Sequence, residues 1–230
     1  MKKVIVLGGP TATGKTDLAI ELALLVNGEV VSADSAQVYR YMDIGTAKPT
    51  LEERRGVPHH MIDIVNPDEE FSVAQFKTLA EESIRDILSR KKVPIVAGGT
   101  GLYINSLVYN IQFSDTISDW EFRERMNALA VKYGPGYLHD RLKEVDPVSA
   151  QRIHPNNIKR VIRALEVFET TGKPISEHQA ESRTKPLEFD YLLFGLTMDR
   201  QKLYERIEKR TDIMMEKGLV DEVAGILKMG

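Results

Sequence analysis

The sequence predicts an α/β fold: a parallel sheet flanked by helices and interrupted by an all-helical insertion. Three observations predict it. Short apolar runs alternate with stretches of helical periodicity, which implies parallel strands covered on both faces. A glycine-rich turn joins the first apolar run to the first helical stretch. The segment from about Phe113 to Pro186 then carries helical periodicity alone.

In chain order, Val4-Ile5-Val6-Leu7 reads as the first strand and Asp17 to Leu25 as the first helix. Glu29-Val30-Val31-Ser32 is the second strand, ending at Asp34-Ser35. Met61-Ile62-Asp63-Ile64-Val65 is the third, ending at Asn66-Pro67, and a helix runs from Val73 to Arg90. Val93 to Ala97 is the fourth strand, and it leads into Gly98-Gly99-Thr100-Gly101. Tyr191 to Leu196 reads as the last buried strand, followed by a helix from Arg200 to Lys217. The insertion reads as helices over Asp119–Lys132, Gly136–Glu144, Pro147–Ile153 and Asn157–Thr171, closed by Gly172-Lys173-Pro174. Residues 1–112 and 187–230 therefore form the α/β core and 113–186 the helical insertion, in the position of a lid or recognition domain.

The turn after the first strand, Gly9-Pro10-Thr11-Ala12-Thr13-Gly14-Lys15-Thr16, fits G-x-x-x-x-G-K-[ST] at every fixed position. Strand before and helix after make it a P-loop, and the fold P-loop NTPase-like. Its backbone N–H groups converge on phosphate oxygens, Lys15 adds a positive charge, and the Thr16 hydroxyl can ligate Mg²⁺.

Composition narrows the classes. Of 230 residues, 42% are hydrophobic and 28% charged, ordinary for a globular protein. The absence of cysteine excludes disulfides and thiolate metal sites and suits a reducing compartment. Met1-Lys2-Lys3 before an apolar run looks like a leader, but the run is short and enters the P-loop directly. No segment approaches membrane-spanning length, and a cytoplasmic monomer is expected. The net charge of −3 argues against indiscriminate nucleic-acid binding and leaves room for a local basic patch.

Ligands of parallel sheets sit beyond the carboxyl ends of the strands, where Asp34, Ser35 and Thr100 join the P-loop. Asp34 reads either as a turn cap or as a functional carboxylate facing the bound anion, and its place at a strand end favours function. Thr100, taken alone, can simply cap the helix Leu102–Val108. The fourth strand lacks the acidic residue that holds Mg²⁺ in many P-loop ATPases, which weakens a motor or switch assignment. Lys159, Arg160 and Arg163 form a basic stripe that contacts phosphates or else pairs with Glu166 and Glu169. Arg206 and Arg210 either reach the P-loop anion or balance Glu205 and Glu208. His59-His60 lacks a third metal ligand at suitable spacing and reads as structural or as a support behind a site's contacting residues. Trp120 and Phe122 read as core rather than as base-stacking residues.

The P-loop, Ser32 to Tyr39, Asp43-Ile44-Gly45-Thr46-Ala47-Lys48-Pro49 and Pro58 to Asp63 together resemble the tRNA dimethylallyltransferase (tRNA isopentenyltransferase) family. Gly98 to Tyr103, Arg163-Ala164-Leu165-Glu166-Val167 and Asp199-Arg200 extend the resemblance to the last helix. It implies transfer of a five-carbon allylic group from dimethylallyl diphosphate to N6 of an adenosine beside the anticodon, with Mg²⁺. Gly9 to Thr16 then hold the donor's diphosphate, with Arg210 a further candidate contact. By the same resemblance Asp34 is the general base, with Thr100 beside it. The resemblance also implies that Asp34, Ser35, Ala36, Gln37, Thr100, Arg123, Lys159, Arg160, Val161, Ile162 and Arg163 contact tRNA at its anticodon arm.

That chemistry suits the residues found independently. Negative charge grows on departing diphosphate and is stabilised by converging N–H groups and Lys15. The adenine amine is a poor nucleophile that needs a base, and the base must leave its stack to react. Members of the family are typically longer, with a Gly-Tyr-Lys-Glu-like motif beyond the position of Gly230, so the chain is expected to be partial. Three alternatives remain at this point: a P-loop small-molecule kinase, a prenyltransferase acting on free adenine nucleotides, and a non-catalytic P-loop interaction module.

Overall fold

The computed structural model describes residues 2–111, 119–182 and 186–229, so the expected start of the insertion at Phe113 lies outside the described residues. The chain divides into two compact units, Met1–Val108 with Leu187–Gly230, and Tyr109–Pro186.

The first unit contains β1 (Lys3–Gly8), β2 (Gly28–Ser32), β3 (His59–His60), β4 (Val93–Gly98) and β5 (Asp190–Gly195). Its helices are α1 (Lys15–Val26), α2 (Val73–Ser89) and α3 (Gly101–Val108). The second unit holds α4 (Trp120–Tyr133), α5 (Pro135–Val145), α6 (Pro147–Arg152), α7 (Ile158–Thr171) and α8 (Ile175–Ser182). The chain then returns to the first unit with α9 (Arg200–Glu216) and α10 (Leu219–Leu227). The sheet order is β3-β2-β4-β1-β5, and every pairing is parallel.

Period-two alternation sends successive residues to opposite faces. Val4, Val6, Val31, Ala33 and Val96 pack with Phe76, Ile84, Tyr103 and Leu107 of α2 and α3. Leu7, Val30, Ile95 and Ala97 pack instead on Ala19, Ile20 and Ala23 of α1. Each fully buried aliphatic or aromatic side chain contributes ~1.5–3 kcal/mol. Phe76 stacks on Tyr103 with ring centroids 3.9 Å apart, which ties α2 to α3. A capping box between Ser72 and Gln75 starts α2.

Two strands differ from expectation. The third lies at His59–His60 rather than over 61–65. Met61 and Asp63 adopt φ of 64° and 57°, left-handed values that end the ladder, and among the described residues a single bridge from Tyr39 to Val65 follows. The last strand is not buried: Leu192, Leu193 and Phe194 are 40–54% exposed. β5 is the sheet edge, paired with β1 alone, and apolar content cannot distinguish an edge strand from a central one.

Because all strands run one way, their carboxyl ends share one edge, with Gly8 level with both Gly98 and Gly195. A Cβ at Gly98 would sit 2.1 Å from the Ala33 carbonyl oxygen, so only glycine lets these backbones approach. That approach lets the Thr100 N–H donate to the Ala33 carbonyl at 3.1 Å.

The second unit has its own core: Phe122, Met126, Leu138, Leu142, Val161, Ile162 and Leu165. Asp146, only 1% exposed, accepts hydrogen bonds from the backbone and hydroxyl of both Ser149 and Ser176, joining α6 to α8. Burial pushes its carboxyl up, but those hydrogen bonds outweigh it and hold the group below the usual carboxylate range. Among the described residues, no helix is long and apolar enough to cross a membrane.

Candidate active site

The P-loop connects β1 to α1. Gly14, at φ 87°, occupies the left-handed conformation that turns the chain into the helix, and no side chain caps the helix start. A Cβ at Gly9 would lie 2.7 Å from the Leu196 carbonyl, so the loop hugs the end of β5. Within the loop, the Thr13 hydroxyl donates to the Pro10 carbonyl at 2.8 Å, and Lys15 Nζ donates to the same oxygen at 2.5 Å. Burial pulls the Lys15 pKa below its ordinary value; Asp34 opposes that shift and Arg210 reinforces it.

Arg210 donates to the Thr11 hydroxyl at 3.1 Å. α9 thus brings Arg210 over the P-loop, and Arg206 beside it lines a cavity of about 270 Å³ with Gly14, Lys15 and Thr16. A smaller cavity of about 90 Å³ shares Lys15, Thr16 and Arg210 and is closed by Asp34, Gln37, Thr46, Ala47 and Gly98.

Asp34 lies two residues beyond the end of β2. Its Oδ1 accepts the Ala36 N–H at 2.9 Å, so the carboxylate caps its own turn and also faces the cavity. Ser35 donates its N–H to the Thr100 hydroxyl at 2.9 Å. Gln37 is held at both ends: its carbonyl accepts from the Ser32 hydroxyl at 2.9 Å, and its amide donates to the Thr46 and Ala47 carbonyls. Nearby, burial pushes the Tyr103 phenol up to about 12.

Lys15, Thr16 and Arg210 thus share one cavity with Asp34. A model of the family described as IPP transferase matches residues 37–230. The chain belongs to the IPP transferase family. The tRNA dimethylallyltransferase of Acetivibrio thermocellus is 61% identical over 230 residues, which is all of this chain and 74% of that relative. That of Alkaliphilus oremlandii is 53% identical and is covered to 73% of its length. The chain thus spans about three quarters of these relatives. Among solved structures, the tRNA isopentenylpyrophosphate transferase of Bacillus halodurans superposes with a TM-score of 0.68 at 45% identity, covering 100% of this chain and 71% of the other. A eukaryotic dimethylallyltransferase acting on tRNA gives 0.83 at 36% identity, covering 100% and 56%. The parallel sheet with a helical insertion expected from the sequence is the architecture found.

In this transferase the second unit carries an open groove of about 720 Å³, lined by Trp120, Arg123, Glu124, Asn127, Lys159, Ile162 and Arg163. Glu166 lies 1% exposed beneath it. It accepts from Arg123 Nε and Nη2 at 2.9 and 3.0 Å, from Arg163 Nη1 at 2.6 Å, and from the Asp119 N–H at 2.9 Å. Burial pushes the Glu166 carboxyl up, but these donors outweigh it and hold it below the usual range. Pairing with Glu166 and lining a groove are therefore both true of Arg163. Lys159 and Arg160 are exposed on α7. Val161 is fully buried, so its side chain serves packing; Ile162 floors the groove.

Trp120 departs from its expected core role: it is 63% exposed and stacks its ring against the Arg123 guanidinium, whereas Phe122 is core. His60 Nε2 contacts buried Glu29 at 2.7 Å and His59 Nδ1 the Val57 carbonyl at 2.8 Å. Among the described residues, no group of three His, Cys, Asp or Glu can hold a metal.

Sequence reasoning passed over two residues near the cavity. Lys48, 8% exposed, donates to Asp43 and Asp63 at 2.6 and 2.5 Å and to the Tyr39 carbonyl at 2.9 Å. Its only signal was membership of the Asp43–Pro49 motif. Glu222 in α10 accepts three backbone N–H groups from Asp43, Ile44 and Gly45. An acid in the first turn of a helix gives no sign of that.

Proposed function

We propose that this chain transfers the dimethylallyl group of dimethylallyl diphosphate to N6 of an adenosine next to the anticodon of tRNA, releasing diphosphate. The observation that carries the reading is Asp34 facing Lys15 across the P-loop cavity in a member of the IPP transferase family. The N6 nitrogen attacks C1 of the donor, the C1–O bond breaks, and the electron pair leaves with diphosphate. Converging loop N–H groups, Lys15 and Arg210 stabilise the charge that grows on the departing oxygen. Asp34 accepts the N6 proton as it becomes acidic, a contribution of ~10²–10⁴-fold.

Gly9 to Thr16 cradle the diphosphate, and Thr16 offers the hydroxyl for Mg²⁺. That donor set suits an ion held by one protein oxygen and by substrate phosphates, and needs no cluster of acids. Mg²⁺ supplies charge neutralisation on the diphosphate when bound. Ser35, Ala36, Gln37 and Thr100 shape the mouth where the flipped adenine enters. Arg123, Lys159, Arg160 and Arg163 grip the anticodon arm by its phosphates.

The test follows diphosphate release. The reading expects release that requires both dimethylallyl diphosphate and tRNA, with no ATP consumed, and its loss in Lys15→Ala. Release of ADP from ATP without the prenyl donor would replace this reading with a kinase.

A further inference from the structure

Glu222 belongs to no motif and makes an unusual contact. Its Oε2 accepts the N–H groups of Asp43 and Ile44 at 2.8 and 2.7 Å, and its Oε1 that of Gly45 at 2.9 Å. Three successive backbone donors thus converge on one carboxylate. Leu219 closes the contact: its side chain lies 3.1 Å from where a Cβ on Gly45 would stand.

The clasped loop is a wall of the donor cavity. Thr46 and Ala47 line that cavity opposite Lys15, and their carbonyls receive the Gln37 amide. Lys48 fixes the far end of the same loop through Asp43 and Asp63. α9, the helix just before α10, supplies Arg206 and Arg210 on the P-loop side. One helical hairpin therefore touches both walls, its arginines over the P-loop and its Glu222 on the opposing loop.

We propose that Glu222 is a positioning residue that fixes the Asp43–Ala47 loop as the wall of the donor cavity and thereby sets affinity for the diphosphate donor. The identity of that donor rests on the proposed prenyl transfer; the clasp itself does not. Glu222→Gln keeps size and shape but sets an NH₂ group against a backbone N–H, donor facing donor. Glu222 is not a catalytic residue, because it touches only the backbone of the loop.

The experiment compares the protein with its E222Q variant by steady-state kinetics at saturating tRNA and by hydrogen exchange over residues 43–48. The expected result is a donor KM raised about tenfold, with kcat changed less than about threefold and faster exchange at Asp43 to Gly45. A general loss of folded protein lowers kcat without moving the donor KM, and that outcome overturns the proposal. Faster exchange with an unchanged donor KM overturns it too, as does unchanged exchange. If the unsubstituted protein does not consume dimethylallyl diphosphate, the proposed function fails and binding of inorganic diphosphate decides the clasp. A roughly tenfold weaker affinity in E222Q then supports it, and equal affinity overturns it.

Discussion

The Ser35 N–H donates to the Thr100 hydroxyl at 2.9 Å and so ties the carboxyl end of β2 to that of β4. Asp34 sits in the turn this bond closes, next to the P-loop cavity. A lone threonine after a strand reads as a helix cap; here it fixes the turn that aims the proposed base. Thr100→Val leaves the Ser35 N–H without that acceptor, at a cost of ~1 kcal/mol or somewhat more. Turnover on tRNA is expected to fall about 5- to 50-fold in T100V, with Thr100→Ser close to the unsubstituted protein. Melting curves measured alongside show whether the fold is retained.

Asp34 has two jobs that one substitution separates. Asparagine retains an oxygen for the Ala36 N–H but cannot take a proton. Asp34→Asn is expected to lower kcat by ~10²–10⁴-fold. Diphosphate binding, read by calorimetry, should remain. Normal turnover in D34N would reduce Asp34 to a turn cap.

Lys159 and Arg160 are exposed on α7 and can reach phosphates, whereas Arg163 also anchors to Glu166. Replacing both Lys159 and Arg160 by alanine should weaken tRNA binding and flatten its dependence on salt. The log–log slope is expected to shrink by about 1.4–1.8, the loss of two phosphate contacts. An unchanged slope, measured by filter binding over a range of salt, would make both residues part of an ordinary solvated face.

Glu166 links stability to pH. Its carboxyl is held below the usual range in the folded state, with an unfolded value of about 4.3. A depressed folded value adds stability that is complete above the unfolded pKa and is lost as pH falls through the folded one. Acid should therefore loosen the helical unit below about pH 4, and Glu166→Gln should remove that part of the dependence. At neutral pH the same substitution leaves two arginines without their buried partner and should cost about 3 kcal/mol in denaturant unfolding.

Much of this site was legible in the sequence because its parts sit in local motifs. The P-loop fixes its own geometry through Gly9 and Gly14, and Asp34 and Thr100 follow strands whose ends must meet. The helices also declared themselves: apolar spacing over Val73 to Arg90 gave α2, and Gly172 ends α7. What stayed hidden depends on tertiary placement. Leu192 to Phe194 form an apolar strand that happens to be an edge. Met61 and Asp63 break a ladder through φ values that their side chains do not announce. Trp120 at a helix start has the composition of a core residue yet opens onto a groove. Glu222 reaches its loop across 177 residues of sequence, which no spacing rule could foresee.

The most direct measurement incubates the protein with isotopically labelled dimethylallyl diphosphate and Mg²⁺, offering unmodified tRNA or AMP, and digests the products to nucleosides for mass spectrometry. The account predicts label on N6 of the adenosine beside the anticodon, stoichiometric with released diphosphate, and no label on AMP. Label on AMP but not on tRNA, or no transfer to either, would contradict it.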